Sequence, residues 1–158
     1  MKYFFAFVVL FLLTACSIKS YKYTETKILI LKTPKIKFSD IAYLRHTGDA
    51  LELELFVAGH VFKKMTINHL ICVSDEGCMS KSAFNAEYLN KIYPQNILQN
   101  ILLGHKIFQG KGFVKNTSGF TQHIRTSAVD IKYRVNSNMI YFKDRKNHIL
   151  LKIKDIAQ

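Results

Sequence analysis

Leu51, Leu53, Leu55 and Val57 alternate with Glu52, Glu54 and Phe56. On a helix this period of two would scatter the aliphatic residues around the axis; on a strand it puts all of them on one face. The same period returns at Val129, Ile131, Tyr133 and Val135 against Asp130, Lys132 and Arg134. It returns again at Ile149, Leu151 and Ile153 against Leu150, Lys152 and Lys154. Asn136-Ser137-Asn138 tolerates positive φ and Asp144 to Asn147 turns again, so Met139 to Phe142 completes a meander with tight connections. Shorter strands are expected at Ile28 to Leu31, stopped by Lys32-Thr33-Pro34, and at Ile41 to Arg45, ended by Thr47-Gly48-Asp49. Two more are expected at Val61 to Ile67 and Phe120 to Thr126, with loops at Gly110, Gly112 and Asn116 to Gly119. Glu52 and Glu54 predict a charged, solvated face opposite Lys63 and Lys64, worth only tenths of a kcal/mol.

The period changes in the middle of the chain. Ser82 is expected to cap a helix carrying Phe84, Tyr88, Leu89 and Ile92. Pro94 ends it and predicts the N1 position of a second helix, where its missing N–H costs nothing. Ile97, Leu98, Ile101 and Leu102 form that helix's apolar stripe, and Gly104 suits the C′ position. The fold class expected is α+β and mainly antiparallel β: a curved sheet or half-open β-barrel with two short helices inserted mid-chain. Two helices of this length cover only part of a large sheet, which is the reason for expecting curvature.

The N-terminus bears on location. Met1-Lys2 precedes an uncharged run from Tyr3 to Leu13, and Leu13-Thr14-Ala15-Cys16 follows. A short positive segment, an apolar segment and a small residue at the junction make a secretory signal. Its apolar run of about 11 residues is too short for the ~20 that span a bilayer as a helix. Leu13-Thr14-Ala15-Cys16 resembles the lipobox of bacterial lipoproteins. That resemblance implies a diacylglyceryl group on the Cys16 thiol, cleavage before Cys16 and an N-acyl chain on the new terminus. It also implies a membrane anchor, because two or three acyl chains together hold a protein essentially permanently. Ser17 rather than Asp after the cysteine leans towards the outer membrane over the inner, on the periplasmic face. The organisation expected is a signal at 1–15, a lipidated N-terminus and tether at 16–27, and one β-rich domain at 28–158.

With Cys16 lipidated, Cys72 and Cys78 remain as an even pair in an oxidising compartment. A disulfide across the Gly-containing turn between them is expected to stabilise the fold by roughly 2 kcal/mol. Their spacing is not that of a thiol oxidoreductase, and no second pair or nearby histidine completes a zinc site. The net charge of +12 is spread along the chain without a nucleic-acid motif, so no nucleic-acid partner is expected; the field is read either as a soluble surface that is simply basic or as a counterpart to anionic lipid or lipopolysaccharide phosphate. His46, His60, His69, His105, His123 and His148 form no HExxH or i, i+4 pair, and no nucleophile elbow or phosphate loop is present. No catalytic residue, metal site or cofactor beyond the acyl chains is therefore expected, and the chain does not read as an enzyme.

Several strands, two short helices and a further meander, behind a lipobox, resemble the LolB-type outer-membrane lipoproteins. Tyr93-Pro94-Gln95-Asn96-Ile97-Leu98 resembles a Tyr/Trp-Pro turn leading into a helix in some of their relatives. The resemblance implies a concave sheet, lidded by helices, that holds lipid or the acyl chains of lipoprotein clients. Tryptophan, common in such cavities, is absent here. The alternative function is a structural or assembly subunit docking on an envelope complex for lipopolysaccharide handling or secretion.

Overall fold

The computed structural model of the protein describes residues 23–47 and 50–156; the signal segment, Cys16 and the expected turn at Gly48-Asp49 lie outside the described residues. Six strands run in succession: β1 (Tyr23–Lys32), β2 (Lys37–Thr47), β3 (Ala50–Val57), β4 (His60–Ile67), β5 (Leu70–Val73) and β6 (Gly77–Ser80). Helices α1 (Lys81–Tyr88) and α2 (Ile97–Leu102) and a 3₁₀ turn at Phe108–Gly110 follow. The chain then returns as β7 (Phe113–Asn116), β8 (Gly119–Arg125), β9 (Asp130–Asn136), β10 (Met139–Asp144) and β11 (Ile149–Asp155).

All eleven strands belong to one antiparallel sheet, ordered β6-β5-β4-β3-β2-β1-β11-β10-β9-β8-β7. Each half of the chain is a meander, and the halves meet where β1 pairs with β11, with Leu29 opposite Ile153 and Leu31 opposite Leu151. The first strand is therefore central, and β6 and β7 are the free edges. Both edges are only four residues long, which limits the unpaired backbone offered to another chain.

That order dictates where the helices go. Residues 81–112 leave one edge and must reach the other, so they cross a face of the sheet. They cross the apolar one, where Leu29, Leu31, Leu44, Leu53, Leu55, Met65, Ile131, Tyr133, Phe142 and Leu151 are buried. Phe84, Tyr88, Ile97, Leu98, Ile101 and Leu102 pack down onto it as one continuous core. The stripe expected on α2 is buried in full, and Gly104 takes the C′ conformation at φ +66°. Gly112 lets the returning segment press against the sheet, since a Cβ there would lie 2.1 Å from the His123 carbonyl oxygen.

Five expectations need correction. Strand β1 starts at Tyr23, so 23–27 of the stretch read as tether belongs to the sheet. Its polar residues are held by β2, Thr24 opposite Arg45, and Lys27 is held on both sides, between Ala42 and Asp155. Helix α1 is capped by Ser80, whose hydroxyl accepts from the Ala83 N–H at 3.1 Å, while Ser82 bonds to Ser80 instead. It stops at Leu89, where the Asn90 side chain accepts from the Ile92 N–H and turns Ile92 out to solvent. Pro94 stands in a turn before α2 rather than at N1: its carbonyl accepts from Ile97 N–H and from the Asn85 amide. Finally, no strand is expected between Gly112 and Gly119, and Phe113–Asn116 there is the edge strand β7 paired with β8.

Candidate functional site

Three places merit chemical description: the interior under the helices, a cleft at one end of the sheet, and the outer face. Between the helices and the sheet, the apolar spaces around Leu29, Leu53, Leu102 and Leu151 measure about 10 Å³ each. A single water needs about 10–15 Å³ of such space, so side chains fill this interior. Three buried polar groups lock the helical segment over it. Asn85 donates to the carbonyls of Tyr93 and Pro94. Tyr133 donates to the His105 carbonyl at 2.9 Å. Gln122 accepts from Ile107 N–H at 2.9 Å and donates to the carbonyls of Ile107 and Lys111.

Asp144 is the fourth tie and has no solvent exposure. Its Oδ2 accepts from the Tyr93 hydroxyl at 2.6 Å and the Asn147 amide at 2.7 Å, while Oδ1 accepts from the Asp130 and Lys146 N–H groups. Burial alone would raise its pKa, but these hydrogen bonds outweigh it and hold the carboxyl below the usual carboxylate range. The same burial and the facing carboxylate raise the pKa of Tyr93, which stays a neutral donor. A carboxyl whose folded pKa lies below its unfolded value of ~3.9 contributes stability fully present above that value and lost as pH falls through the folded one. Asp144→Asn is therefore expected to lower the melting temperature at neutral pH, with a smaller loss in moderately strong acid, where the wild-type carboxyl is protonating too. Thermal melts of both proteins across that range check it; a parallel offset at every pH would refute it.

An open cleft of about 380 Å³ lies at the end of the sheet where β1 begins. Leu44, Leu102 and Ile153 line it together with Tyr23, Glu25, Lys27, His46, His105 and Asp155. Lys27 Nζ sits 2.5 Å from both Glu25 and Asp155 carboxylates, and His46 lies 3.6 Å from Glu25 with its ring stacked on Tyr23. Burial lowers the Lys27 pKa, but the two carboxylates outweigh it and hold the ammonium charged. No nucleophile–base pair emerges from this arrangement. Among the described residues, no group of three His, Cys, Asp or Glu side chains is placed to hold a metal ion. His46 and His105 both line the cleft, which their separation in sequence does not reveal.

Of the expected site residues, Cys16 lies outside the described residues. Cys72 and Cys78 form a disulfide, directly opposite each other on β5 and β6 with Cα atoms 3.9 Å apart. Beside this, Tyr88 donates to Glu76 in the β5–β6 turn and ties α1 to the hairpin.

The face of β3 expected to be solvated is not. Glu52 is 1% exposed and Glu54 8% exposed. Arg45 on β2 lies 3.1 Å from Glu52 and 2.5 Å from Glu54, and Lys64 on β4 lies 3.0 and 3.1 Å from them. Lys63 turns away to pair with Glu76. The alternation of β3 was legible, but the cross-strand register that sets Arg45 over Glu52 was not. Burial lowers the pKa values of Arg45 and Lys64, and the paired carboxylates more than restore them.

No protein-family model matches the chain, and no curated protein matches it either.

Proposed function

We propose that the protein is a bacterial envelope lipoprotein, acylated at Cys16, held on the periplasmic face of the outer membrane and acting as a docking or assembly subunit. The carrying observation is the filled interior. An acyl-chain carrier of the LolB type needs apolar space for a chain many methylenes long, and the spaces beneath these helices hold at most one water. The work of such a domain falls to its surface. The finer architecture follows from the same packing: the sheet curls as a half-open barrel, its two arms drawn onto one short helical segment that reaches from β6 to β7. The Cys72–Cys78 disulfide supports an exported location, because such bonds persist in oxidising compartments.

Two measurements test this reading. Cys16→Ser is expected to move the mature domain from the membrane pellet to the soluble fraction, since the tether is the acyl chains. Continued sedimentation with membranes after alkaline extraction would overturn the anchor. Protein stripped of loosely bound lipid is expected to bring no phospholipid through mass spectrometry and to leave a hydrophobic fluorophore dark. Stoichiometric lipid would reinstate the carrier.

A further inference from the structure

We infer that the outer face of β8–β11, the side opposite the helices, is a docking surface for the phosphate layer of an anionic bilayer. The inference rests on the anchored reading above only to place a bilayer within reach.

Alternation puts Ile131, Tyr133, Phe142 and Leu151 on the core side, so their neighbours project outwards. Register then assembles those neighbours. Lys132 stands directly opposite Lys143, with His123 on its other side. Arg134 and Lys152 flank Tyr141 in the next row, and Lys154 faces Met139 in the row after. The one carboxylate projecting from this face of β8–β11 is Asp130, already held between Arg125 and Arg145. Lys132, Lys143, Lys152 and Lys154 have no carboxylate partner among the described residues. Like charges directly opposite on neighbouring strands repel and destabilise a sheet. The face bears that cost with no internal counterion.

Two features select lipid phosphates over an acidic protein. The cations are mostly lysines, which act as mobile point charges, whereas fixed carboxylates are read better by the bidentate fork of arginine. Apolar residues also continue the face. Ile28, 42% exposed, lies opposite Lys154, and Ile41, 40% exposed, lies opposite Ile28. Lysines bordering exposed aliphatics and a tyrosine suit the headgroup boundary, where apolar groups enter and charges stay with the phosphates.

The test reconstitutes the full acylated chain in phosphatidylcholine vesicles with and without phosphatidylglycerol and reads lysine labelling by an amine-reactive reagent. Lys132, Lys143, Lys152 and Lys154 are expected to label severalfold more slowly in the anionic vesicles, and high salt should remove the difference. Exposed Lys91, Lys111 and Lys115, off this face, should label alike in both. Lys132→Gln/Lys143→Gln/Lys154→Gln should lower the docked-to-undocked ratio by about 100-fold, at roughly fivefold per charge, and so restore Lys152 labelling. Equal protection in neutral vesicles, or protection spread over all the lysines, would overturn the proposal. So would protection seen only in native membranes, which would assign the face to a protein partner. A chain that fails to float with either vesicle would instead count against the anchor.

Discussion

Arg45→Met is expected to destabilise the fold by about 3–5 kcal/mol, among the largest single-residue effects in the molecule. Glu52 and Glu54 project from one strand into a site where Arg45 and Lys64 each pair with both carboxylates. Taking away the guanidinium removes a cation from beside both carboxylates, where Glu52 is 1% and Glu54 8% exposed. An uncompensated buried charge costs far more than an exposed ion pair contributes, which is why the loss should exceed the ~1 kcal/mol ceiling of a surface bridge. Urea unfolding followed by circular dichroism measures it, and Arg45→Met/Glu54→Gln should recover a substantial part by restoring neutrality. A single-variant loss below about 1 kcal/mol would mean that the carboxylates find water where the structure shows strands.

Gln122→Leu should cost at least about 2 kcal/mol for a different reason. Leucine matches the apolar surroundings and much of the volume, so packing is nearly conserved. What disappears is the side chain that satisfies the N–H of Ile107 and the carbonyl of Lys111, while the Ile107 carbonyl keeps the Gly110 N–H at 2.9 Å. These backbone groups lie where the helical segment returns to the sheet, and each one stranded without a partner costs about 1–3 kcal/mol. Hydrogen exchange should show the loss concentrated at 105–112, with β1 and β2 still protected. Uniform loss of protection across the sheet would show instead that the segment and the sheet open together.

Much of the architecture was legible because it obeyed local rules. The periods of β3, β9 and β11, the stripe on α2 and the glycine at its end depend only on neighbours in the chain. What escaped depended on partners distant in sequence. The start of β1 at Tyr23 is invisible in Thr24-Glu25-Thr26-Lys27, because those residues are extended by pairing with β2, joined by β11 only at Lys27. Ser82 and Ser80 compete for one cap, and the hydroxyl two residues earlier wins by reaching Ala83. The burial of Glu52 follows from Arg45, seven residues away on the neighbouring strand and therefore set by register. The disulfide was legible from cysteine parity; the interior filled by side chains was not, since strand patterns fix which residues face inwards and leave open how closely two layers meet.

The placement of β1 also sets the order in which the molecule is built. As the chain is threaded N-terminus first, β1 to β6 can zip into successive hairpins, but the far side of β1 then stays bare until Ile149–Asp155 arrives. Closing the sheet means bringing together segments more than a hundred residues apart, a search whose entropic toll makes such topologies slow to mature. Through that interval a central, aliphatic strand presents an open ladder to any passing chain. This is the window in which a holding factor would matter most.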